Sequence, residues 1–347
     1  MNGTRPNISI VIPVFNPGEY FPACLASLEA QTIFGQLEVV LVDDGSTDGS
    51  GALCDEFSER HPGQVQVFHQ PNRGLGAARN AAIDAAEGEW ILLVDSDDAI
   101  IPNACERLLL AGESTDADLV WGDYAHVSSC IGGVAEFARQ GKPVEMWRIL
   151  RVALHEGSYV ITPCHYLYRK RFLNDNSIRF AMGVAWEEQQ WLMRILMSNP
   201  SVIRADCPFY IYNVGDHPSI STKVTAKHFM DVIDAVYAAI AELEEANPPA
   251  EVREVAEAFI ANTIAKGAIG YFCRASAQAR TMARRRLNEK YVWYANQTQL
   301  LPPPLRRIGP AFVSGEEPYK AELELLLEAK RKAEEAEAAR NAKTPDA

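Results

Sequence analysis

The chain has 347 residues, of which 48% are hydrophobic and 23% charged, a composition typical of a soluble globular protein with one large or two ordinary domains. Its formal net charge of −13 argues against a nucleic-acid-binding protein, which would carry a basic face. Seven cysteines without a C-x-x-C pair indicate reduced thiols rather than a disulfide framework.

The first 124 residues alternate between predicted strands and predicted helices. Apolar runs rich in β-branched residues predict strands at 8–14, 37–42, 65–69, 90–94 and 119–124. Helical spacing between these runs predicts helices at 21–31, 50–59, 75–86 and 105–110. Strands separated by such helices are typical of an α/β fold, in which a mostly parallel sheet carries helices on both faces.

The remainder of the chain has a less regular pattern and then becomes helical. The sequence predicts a helix at 186–197, an extended segment at 208–212, helices at 228–246, 249–272 and 278–299, a proline-rich break at 301–309 and a charged helix at 319–342. We therefore predict a domain of residues 1–225, with halves of about 1–124 and 125–225. A helical region of 226–300 and a C-terminal segment of 301–347 follow it.

Four polar segments follow predicted strands on the same side of the sheet. They comprise residues 15–18, 43–48, 70–76 and 95–98. In open α/β sheets, ligands bind beyond the carboxyl ends of the strands. The sequence therefore predicts that these four segments line a single crevice.

Three carboxylates lie within four residues directly after the strand at 90–94. Asp95, Asp97 and Asp98 would repel one another unless a cation, hydrogen bonds or open water stabilised them. A divalent metal with oxygen ligands is one explanation. A solvated acidic turn that leads into the next helix is the other.

Two further segments allow both a structural and a functional interpretation. Asp43 and Asp44 suit a tight turn that caps the following helix, and they also suit a carboxylate that accepts an N–H group of a nucleobase. Arg73 and Arg79 flank a glycine-rich turn, where they would either line a solvated helix face or neutralise a diphosphate.

Two glutamates open the predicted helix at 186–197. Glu187 and Glu188 would complement the helix dipole there, or one of them would serve as a general base that faces the crevice. The histidines are scattered without metal-ligand spacing, but His217 lies in a polar loop after an aromatic strand.

The sequence lacks the motifs of two common nucleotide-binding folds. A dinucleotide fingerprint would follow the first strand, where this chain has the sequence FNPG at 15–18. No G-x-x-x-x-G-K-[ST] motif occurs either. These observations disfavour a nicotinamide-dependent dehydrogenase and exclude a P-loop NTPase.

Taken together, four ordered motifs resemble those of the family 2 glycosyltransferases, which are inverting enzymes with the Rossmann-like GT-A fold. The motifs are IPVFN at 12–16, VDDGSTDG at 42–49, GAARN at 76–80 and VDSDD at 94–98. The resemblance covers roughly residues 8–223 and is to the type that builds bacterial capsules, exopolysaccharides and cell walls. It implies a GT-A domain followed by the C-terminal helical region.

The resemblance also implies roles for individual residues on the donor side. Phe15 and Asp44 would border the nucleobase, with Pro13 shaping the strand end and Asp43 among the donor-binding residues. Residues 95–97 would form the D-x-D motif, in which Asp95 and Ser96 contact the donor and Asp97 binds Mn²⁺ or Mg²⁺ directly. Asp95 would be a further ligand, and Asp98 would either support the ligands from behind or serve as an alternative ligand.

On the acceptor side, Glu188 occupies the position of the catalytic base, with Glu187 beside it. Two features depart from the family pattern. Glu188 stands where the family has an aspartate, which lengthens the side chain by one methylene group. The basic residue usual after the Tyr-x-Tyr strand, here Tyr210 to Tyr212, is replaced by Asn213 and Val214, and His217 or Lys223 would take its place at the diphosphate.

The function implied is metal-dependent, inverting transfer of a sugar from a nucleotide diphosphate, with a UDP-sugar as the favoured donor, to a hydroxyl of a glycan or lipid-linked acceptor. The alternatives are a catalytically silent protein that binds nucleotide sugars or assembles with partners, and a sugar nucleotidyltransferase. The latter would be expected to carry a glycine-rich loop with an arginine after the first strand, which this chain does not have.

We expect a cytoplasmic protein. Met1 to Asn7 contain no apolar segment typical of a signal peptide, and no apolar run approaches the ~18 residues that span a bilayer. The arginines at 284–286, 306 and 307 make peripheral contact with the inner face of the membrane an option, and the C-terminal helices could instead form a homo-oligomer.

Overall fold

The computed structural model describes residues 6–124, 141–156, 162–184, 186–213, 226–267 and 277–315. The chain divides into two compact units. The first comprises Met1–His217 and Ala241–Arg253, and the second comprises Pro218–Ile240 and Glu254–Ala347. The division predicted from the sequence, at residues 225 and 300, stays a prediction.

The first unit is built on a nine-stranded mixed sheet. Its strands are β1 (Ile8–Val14), β2 (Leu37–Asp43), β3 (Val65–His69), β4 (Trp90–Leu93), β5 (Ala99–Ile100), β6 (Leu119–Tyr124), β7 (Val144–Glu145), β8 (Tyr166–Arg169) and β9 (Ser201–Ile211). They lie in the order β3-β2-β1-β4-β8-β6-β9-β5, and β7 pairs with β9. Every residue of β1 and β2 is buried, as expected for central strands with both faces covered.

Seven helices of the described residues surround this sheet. They are α1 (Phe21–Glu29), α2 (Ser50–Arg60), α3 (Leu75–Ala85), α4 (Ala104–Glu113), α5 (Met146–Glu156), α6 (Lys170–Asp175) and α7 (Glu187–Met197). Helix α1 has a proline in its first turn, where no intrahelical N–H donor is required. Helix α3 buries a face of small residues, including Gly76 and Ala78, which lets it lie close to its neighbours.

The predicted α/β sheet with helices on both faces is confirmed. Strands β1 to β4 are parallel, and β6 and β9 run in the same direction as these four. Strands β5, β7 and β8 run the other way. The extended segment predicted at 208–212 is only the end of β9, because its first half mixes charged and apolar residues and gives a weak strand pattern.

The described residues that follow are helical. The helices are α8 (Ala226–Ala246), α9 (Ala250–Gly267), α10 (Ala277–Arg286), α11 (Glu289–Ala295) and α12 (Pro303–Ser314). None of the helices in the described part of the chain is long and apolar enough to cross a membrane. The charged helix predicted at 319–342 lies outside the described residues.

Two predictions for this region differ from the structure. The single helix predicted at 278–299 is two helices, because the side chain of Asn288 accepts the backbone N–H of Tyr291 and caps α11 as a separate helix. The proline-rich break predicted at 301–309 is largely helical. Pro303 begins α12 at a position that needs no N–H donor, so proline there starts the helix instead of preventing it.

Candidate active site

The loops that follow β1 and β2 are joined to each other by hydrogen bonds. The backbone N–H of Thr47 donates to Asn16 Oδ1 at 2.7 Å, and the backbone N–H of Gly18 donates to Asp48 Oδ2 at 2.9 Å. Pro13 is buried within β1, whereas the ring of Phe15 is 51% exposed. The first two predicted segments therefore meet at one edge of the sheet and present an aromatic ring to solvent.

Asp44 organises the loop that follows β3. Its carboxylate accepts hydrogen bonds from the side chain of Gln70 (2.6 Å) and from the backbone N–H groups of Arg73 (2.8 Å) and Gly74 (2.8 Å). Gly74 has φ of 88°, a conformation that favours glycine. The side chain of Arg73 is exposed and has no partner among the described residues. Asp44 therefore holds this loop in place, and its predicted role at a nucleobase stays a prediction.

Asp43 accepts hydrogen bonds from two neighbouring elements. The backbone N–H of Ser46 donates to Oδ1 at 2.9 Å, and Nδ1 of His69 lies 2.9 Å from Oδ2. Burial alone would raise the pKa of Asp43, but the hydrogen bonds from Ser46 and His69 lower it below its ordinary value. Both aspartates of this pair thus have structural partners.

The acidic segment after β4 forms a turn that Tyr210 and Asn213 support. The backbone N–H of Asp98 donates to the carbonyl of Asp95 at 3.1 Å and closes the turn. The hydroxyl of Tyr210 donates to Asp98 Oδ2 (2.6 Å) and accepts the backbone N–H of Asp95 (3.1 Å), while the backbone N–H of Asn213 donates to Asp98 Oδ1 (2.8 Å). Burial raises the pKa of Asp98 to about 7. Both oxygens of Asp98 are therefore engaged by protein groups.

The fit of this turn to a divalent cation depends on Asp95 and Asp97. Within the described ranges, no group of three or more His, Cys, Asp or Glu side chains is arranged as a metal site. A cation that also binds substrate phosphates needs only one or two carboxylates from the protein, however. Asp95 and Asp97 are both partly exposed, and the thiol of Cys164 donates to Oδ2 of Asp95 at 3.6 Å. The residues fit a cation shared with a phosphorylated ligand, and the assignment of Asp98 as a ligand stays a prediction.

Arg79 extends from α3 into the space between two carboxylates. Its Nη2 lies 2.6 Å from Asp95 Oδ1 and its Nη1 lies 3.0 Å from Glu187 Oε1. The guanidinium also lies 5.1 Å from the centre of the Phe180 ring, and the residue is only 4% exposed. The structure thus brings Arg79, Asp95 and Glu187 together, and the predicted contact between Arg79 and a diphosphate stays a prediction.

Glu187 and Glu188 form the first turn of α7. The preceding residue, Trp186, has φ of 69°, which is a costly conformation for a bulky side chain and one that tends to occur at functional sites. Glu187 is buried, while Glu188 is partly exposed. Burial raises the pKa of both carboxyls, and the charge of Glu187 raises that of Glu188 further, whereas Arg79 opposes the rise at Glu187. A partly exposed carboxylate of raised pKa is suited to accept a proton near neutral pH.

Sequence reasoning missed three side chains of this site. Tyr210 and Asn213 hold the acidic turn, and Asn80 pairs with both backbone groups of Phe180, at 2.7 and 2.9 Å. The signals were the aromatic run at 209–212 and the Arg-Asn pair at 79–80, but neither reveals which partner the side chain meets. Ser96 is buried within the turn. His217 and Lys223 lie outside the described residues.

Comparison with known proteins identifies relatives of this chain. Residues 9–176 match the family described as glycosyl transferase family 2. The chain is 30% identical over 236 residues to glycosyltransferase GlyG of Streptococcus pneumoniae. The aligned region covers 65% of this chain and 77% of GlyG.

Two solved structures have a similar fold. The crystal structure of S. aureus TarS 1–349 in complex with UDP-GlcNAc has a TM-score of 0.67 and 19% identity, over 93% of this chain and 92% of TarS 1–349. The mannosyltransferase PcManGT from Pyrobaculum calidifontis, in complex with GDP-Man and Mn²⁺, has a TM-score of 0.50 and 18% identity, over 89% of this chain and 88% of that one. At these identities the likeness concerns the fold.

Proposed function

The chain belongs to glycosyl transferase family 2 and is a glycosyltransferase; from that premise we propose that it transfers a sugar from a UDP-sugar to a hydroxyl of a glycan or lipid-linked acceptor, with inversion and with the help of a divalent cation. One observation carries the proposal. Asp95 of the acidic turn and Glu187 at the start of α7 contact the same guanidinium, at 2.6 and 3.0 Å. Arg79 thus bridges Asp95, a carboxylate suited to bind a cation, and Glu187, which directly precedes the candidate base.

The donor is proposed to bind across the loops after β1, β2 and β3. The exposed ring of Phe15 would pack on the face of the nucleobase, and the buried aspartates 43 and 44 would keep the surrounding loops in shape. The exposed guanidinium of Arg73 would contact the diphosphate. The complex of TarS with UDP-GlcNAc supports a uridine nucleotide, while that of PcManGT keeps GDP-sugars among the donors to be tested.

Asp97 and Asp95 are proposed to hold the cation together with the diphosphate. When bound, such an ion would neutralise the negative charge that develops on the leaving diphosphate. The Mn²⁺ in the PcManGT complex supports manganese as the first ion to test. Asp98 would act through the protein, because Tyr210 and Asn213 already engage its oxygens and so fix the turn that carries Asp97.

Glu188 is proposed as the general base. Its carboxylate would take the proton from the acceptor hydroxyl while the hydroxyl oxygen attacks the anomeric carbon from the face opposite the diphosphate. The bond between that carbon and the diphosphate oxygen would break in the same step, so that UDP leaves and the configuration inverts. Glu187 is less suited to this role, because its side chain is buried and one of its oxygens is engaged by Arg79.

Glu188 stands where the family has an aspartate, so the test must show that the chain both binds a donor and transfers its sugar. Donor binding and sugar transfer should therefore be measured separately with a panel of UDP- and GDP-sugars in the presence of Mn²⁺. We expect one donor to bind and to release its nucleotide faster when an acceptor is added. Asp97→Asn should lose the Mn²⁺-dependent part of the rate, with nucleotide release measured by a coupled assay.

Donor binding without turnover on any acceptor would refute the proposed role of Glu188 as the base. Calorimetric titrations that show no heat with any common UDP- or GDP-sugar in the presence of Mn²⁺ would refute the proposed donor class. A wild-type rate in Asp97→Asn would refute the assignment of that residue.

A further inference from the structure

The buried Arg79 is the structural link between the two halves of the site. Asp95 follows β4, whereas Glu187 begins α7 more than ninety positions later in the chain. One terminal nitrogen of the guanidinium contacts each carboxylate, at 2.6 and 3.0 Å. Among the described residues, no other side chain forms ion pairs with both the acidic turn and α7.

The chemistry of arginine explains how one side chain serves both elements. The guanidinium is a rigid, planar fork whose terminal nitrogens donate in different directions, whereas a lysine ammonium is a single point of charge. A buried cation is stable only if carboxylates compensate its charge. Removal of one partner destabilises the fold, because it leaves an uncompensated charge in the low-dielectric interior. The contact with the Phe180 ring at 5.1 Å holds the plane of the guanidinium as well.

We propose that Arg79 is a positioning residue, which fixes the distance between the acidic turn of the donor side and the first turn of α7, where the base Glu188 lies. The inference rests on the proposed function and deepens it. Because Glu188 directly follows Glu187, a shift of Glu187 away from Asp95 carries the base away from the donor. Arg79 thus acts on the reaction through two carboxylates.

Direct contact between Arg79 and the donor does not explain this geometry. The residue is 4% exposed, and both of its terminal nitrogens are engaged by carboxylates. Its Nε is buried without a hydrogen-bond partner in the described residues. The guanidinium therefore presents no polar atom at the surface that a diphosphate could reach.

The test compares Arg79→Lys, Glu187→Gln and the double variant with the full-length wild-type chain. The kcat of transfer and the KM for the donor are measured, together with the ratio of donor hydrolysis to transfer. We expect kcat to fall roughly 10- to 100-fold in each single variant, as is usual for residues that orient a reacting group. The donor KM should stay within about twofold of wild type, and the hydrolysis ratio should rise, since water needs no positioned base to reach a misaligned donor.

The double variant provides the sharpest readout. Two substitutions that break the same link should not add, so the double variant should be no slower than the slower single variant. Arg169→Lys is the matched control. Arg169 is also a buried arginine with an ion pair, to Glu89 at 2.7 Å, and it lies over the Trp90 ring at the opposite end of β4. This control should lower the thermal midpoint without a change in kcat or in the hydrolysis ratio.

Three outcomes would overturn the inference. A donor KM raised tenfold or more with an unchanged kcat would mean that Arg79 contacts the donor. A wild-type kcat in Arg79→Lys would mean that a positive charge is enough at this position and that the forked guanidinium is not required. If the double variant lost kcat by the product of the two single losses, Arg79 and Glu187 would act separately. If Arg79→Lys does not fold, Glu187→Gln carries the same readouts. A wild-type chain that transfers no sugar would refute the proposed function itself, a result distinct from these three.

Discussion

One methyl group added at Gly76 should lower the rate of sugar transfer far more than it lowers the affinity for the donor. A Cβ atom at this position would lie 2.4 Å from the backbone oxygen of Ala181 and 3.3 Å from Cβ of Phe180. Ordinary contact begins at 3.4 Å, so the carbonyl must move by 1.0 Å, the difference between 3.4 and 2.4 Å. Helix α3 cannot yield, because Ala78 and its other buried residues are packed against the sheet.

The displacement would pass directly to the proposed base. The segment that must move leads within a few residues into Glu187 and Glu188, and Asn80 ties it to α3 through both backbone groups of Phe180. A misplacement of about 1 Å near a reacting centre costs up to roughly 100-fold in rate. Overpacking of this kind also lowers stability by about 1–3 kcal/mol. Asp44 holds the neighbouring donor-side loop through the backbone N–H groups of Arg73 and Gly74, so donor affinity should change far less than kcat.

The assay for Gly76→Ala combines kcat for the best donor, the donor dissociation constant from calorimetry and the thermal midpoint. Gly35→Ala is the control, because its Cβ would meet no atom within 4 Å and its backbone conformation suits any residue. It should match wild type in all three measurements. If Gly76→Ala keeps the wild-type kcat and thermal midpoint, the close approach of α3 to residues 180–181 does not position the base, and the reasoning is wrong.

Three further predictions concern titratable groups. Glu188→Gln should lower kcat by roughly 10²- to 10⁴-fold, the usual contribution of a general base, and by more than Glu187→Gln; the reverse order would move the base by one residue. The rate should rise with pH through a pKa above that of an ordinary glutamate, since burial and the charge of Glu187 raise the pKa of Glu188, and Glu187→Gln should shift this limb of the kcat/KM profile to lower pH. Hydrogen bonds to Asp43 and Asp55 raise the pKa of His69. Its protonated ring should therefore stabilise the fold fully below about pH 6.5, and this stabilisation should be lost as the pH rises through the pKa of the folded state. The free energies of unfolding of His69→Gln and wild type should therefore converge at high pH. At low pH they should differ by less than about 1 kcal/mol, because the side chain is half exposed. A difference independent of pH, measured by denaturant unfolding, would contradict this.

The sequence predicted the order of elements in the first 124 residues well, because most strands there are rich in apolar residues. The apolar runs of β1 and β2 follow from burial on both faces. The predicted bounds of β1 and β3 equal the observed ones, although β3 is only partly buried. Tertiary context decided the elements that the pattern missed. Strand β9 begins at Ser201 because Asp118 accepts hydrogen bonds from its backbone and side chain, which no local pattern encodes.

In the candidate site, too, the sequence predicted where side chains lie but not which partners they contact. The sequence indicated that Asp95 and Asp97 would lie at one edge with the other strand-end segments, since strand ends in a parallel sheet converge, and it left open whether Glu187 or Glu188 faces that edge. It could not show that Arg79 joins two of them, because a helix pattern gives the face of a residue and not the carboxylates opposite that face. The same limit applies to Asp44, which the motif suggests for a ligand and the structure also uses to hold the loop at 70–74.

The charges of the crevice constrain how an anionic donor could bind there. The acidic turn supplies three carboxylates and α7 supplies two more, whereas the buried Arg79 compensates only part of this charge. A diphosphate brought to this edge alone would face net repulsion, which a low-dielectric surrounding strengthens. Cation and donor should therefore bind with positive coupling, each raising the affinity for the other by the same factor. Calorimetric titration of a donor at increasing Mn²⁺ should give a donor affinity that rises with the metal concentration, and an affinity independent of metal would mean that Arg73 and the helix termini suffice to hold the diphosphate.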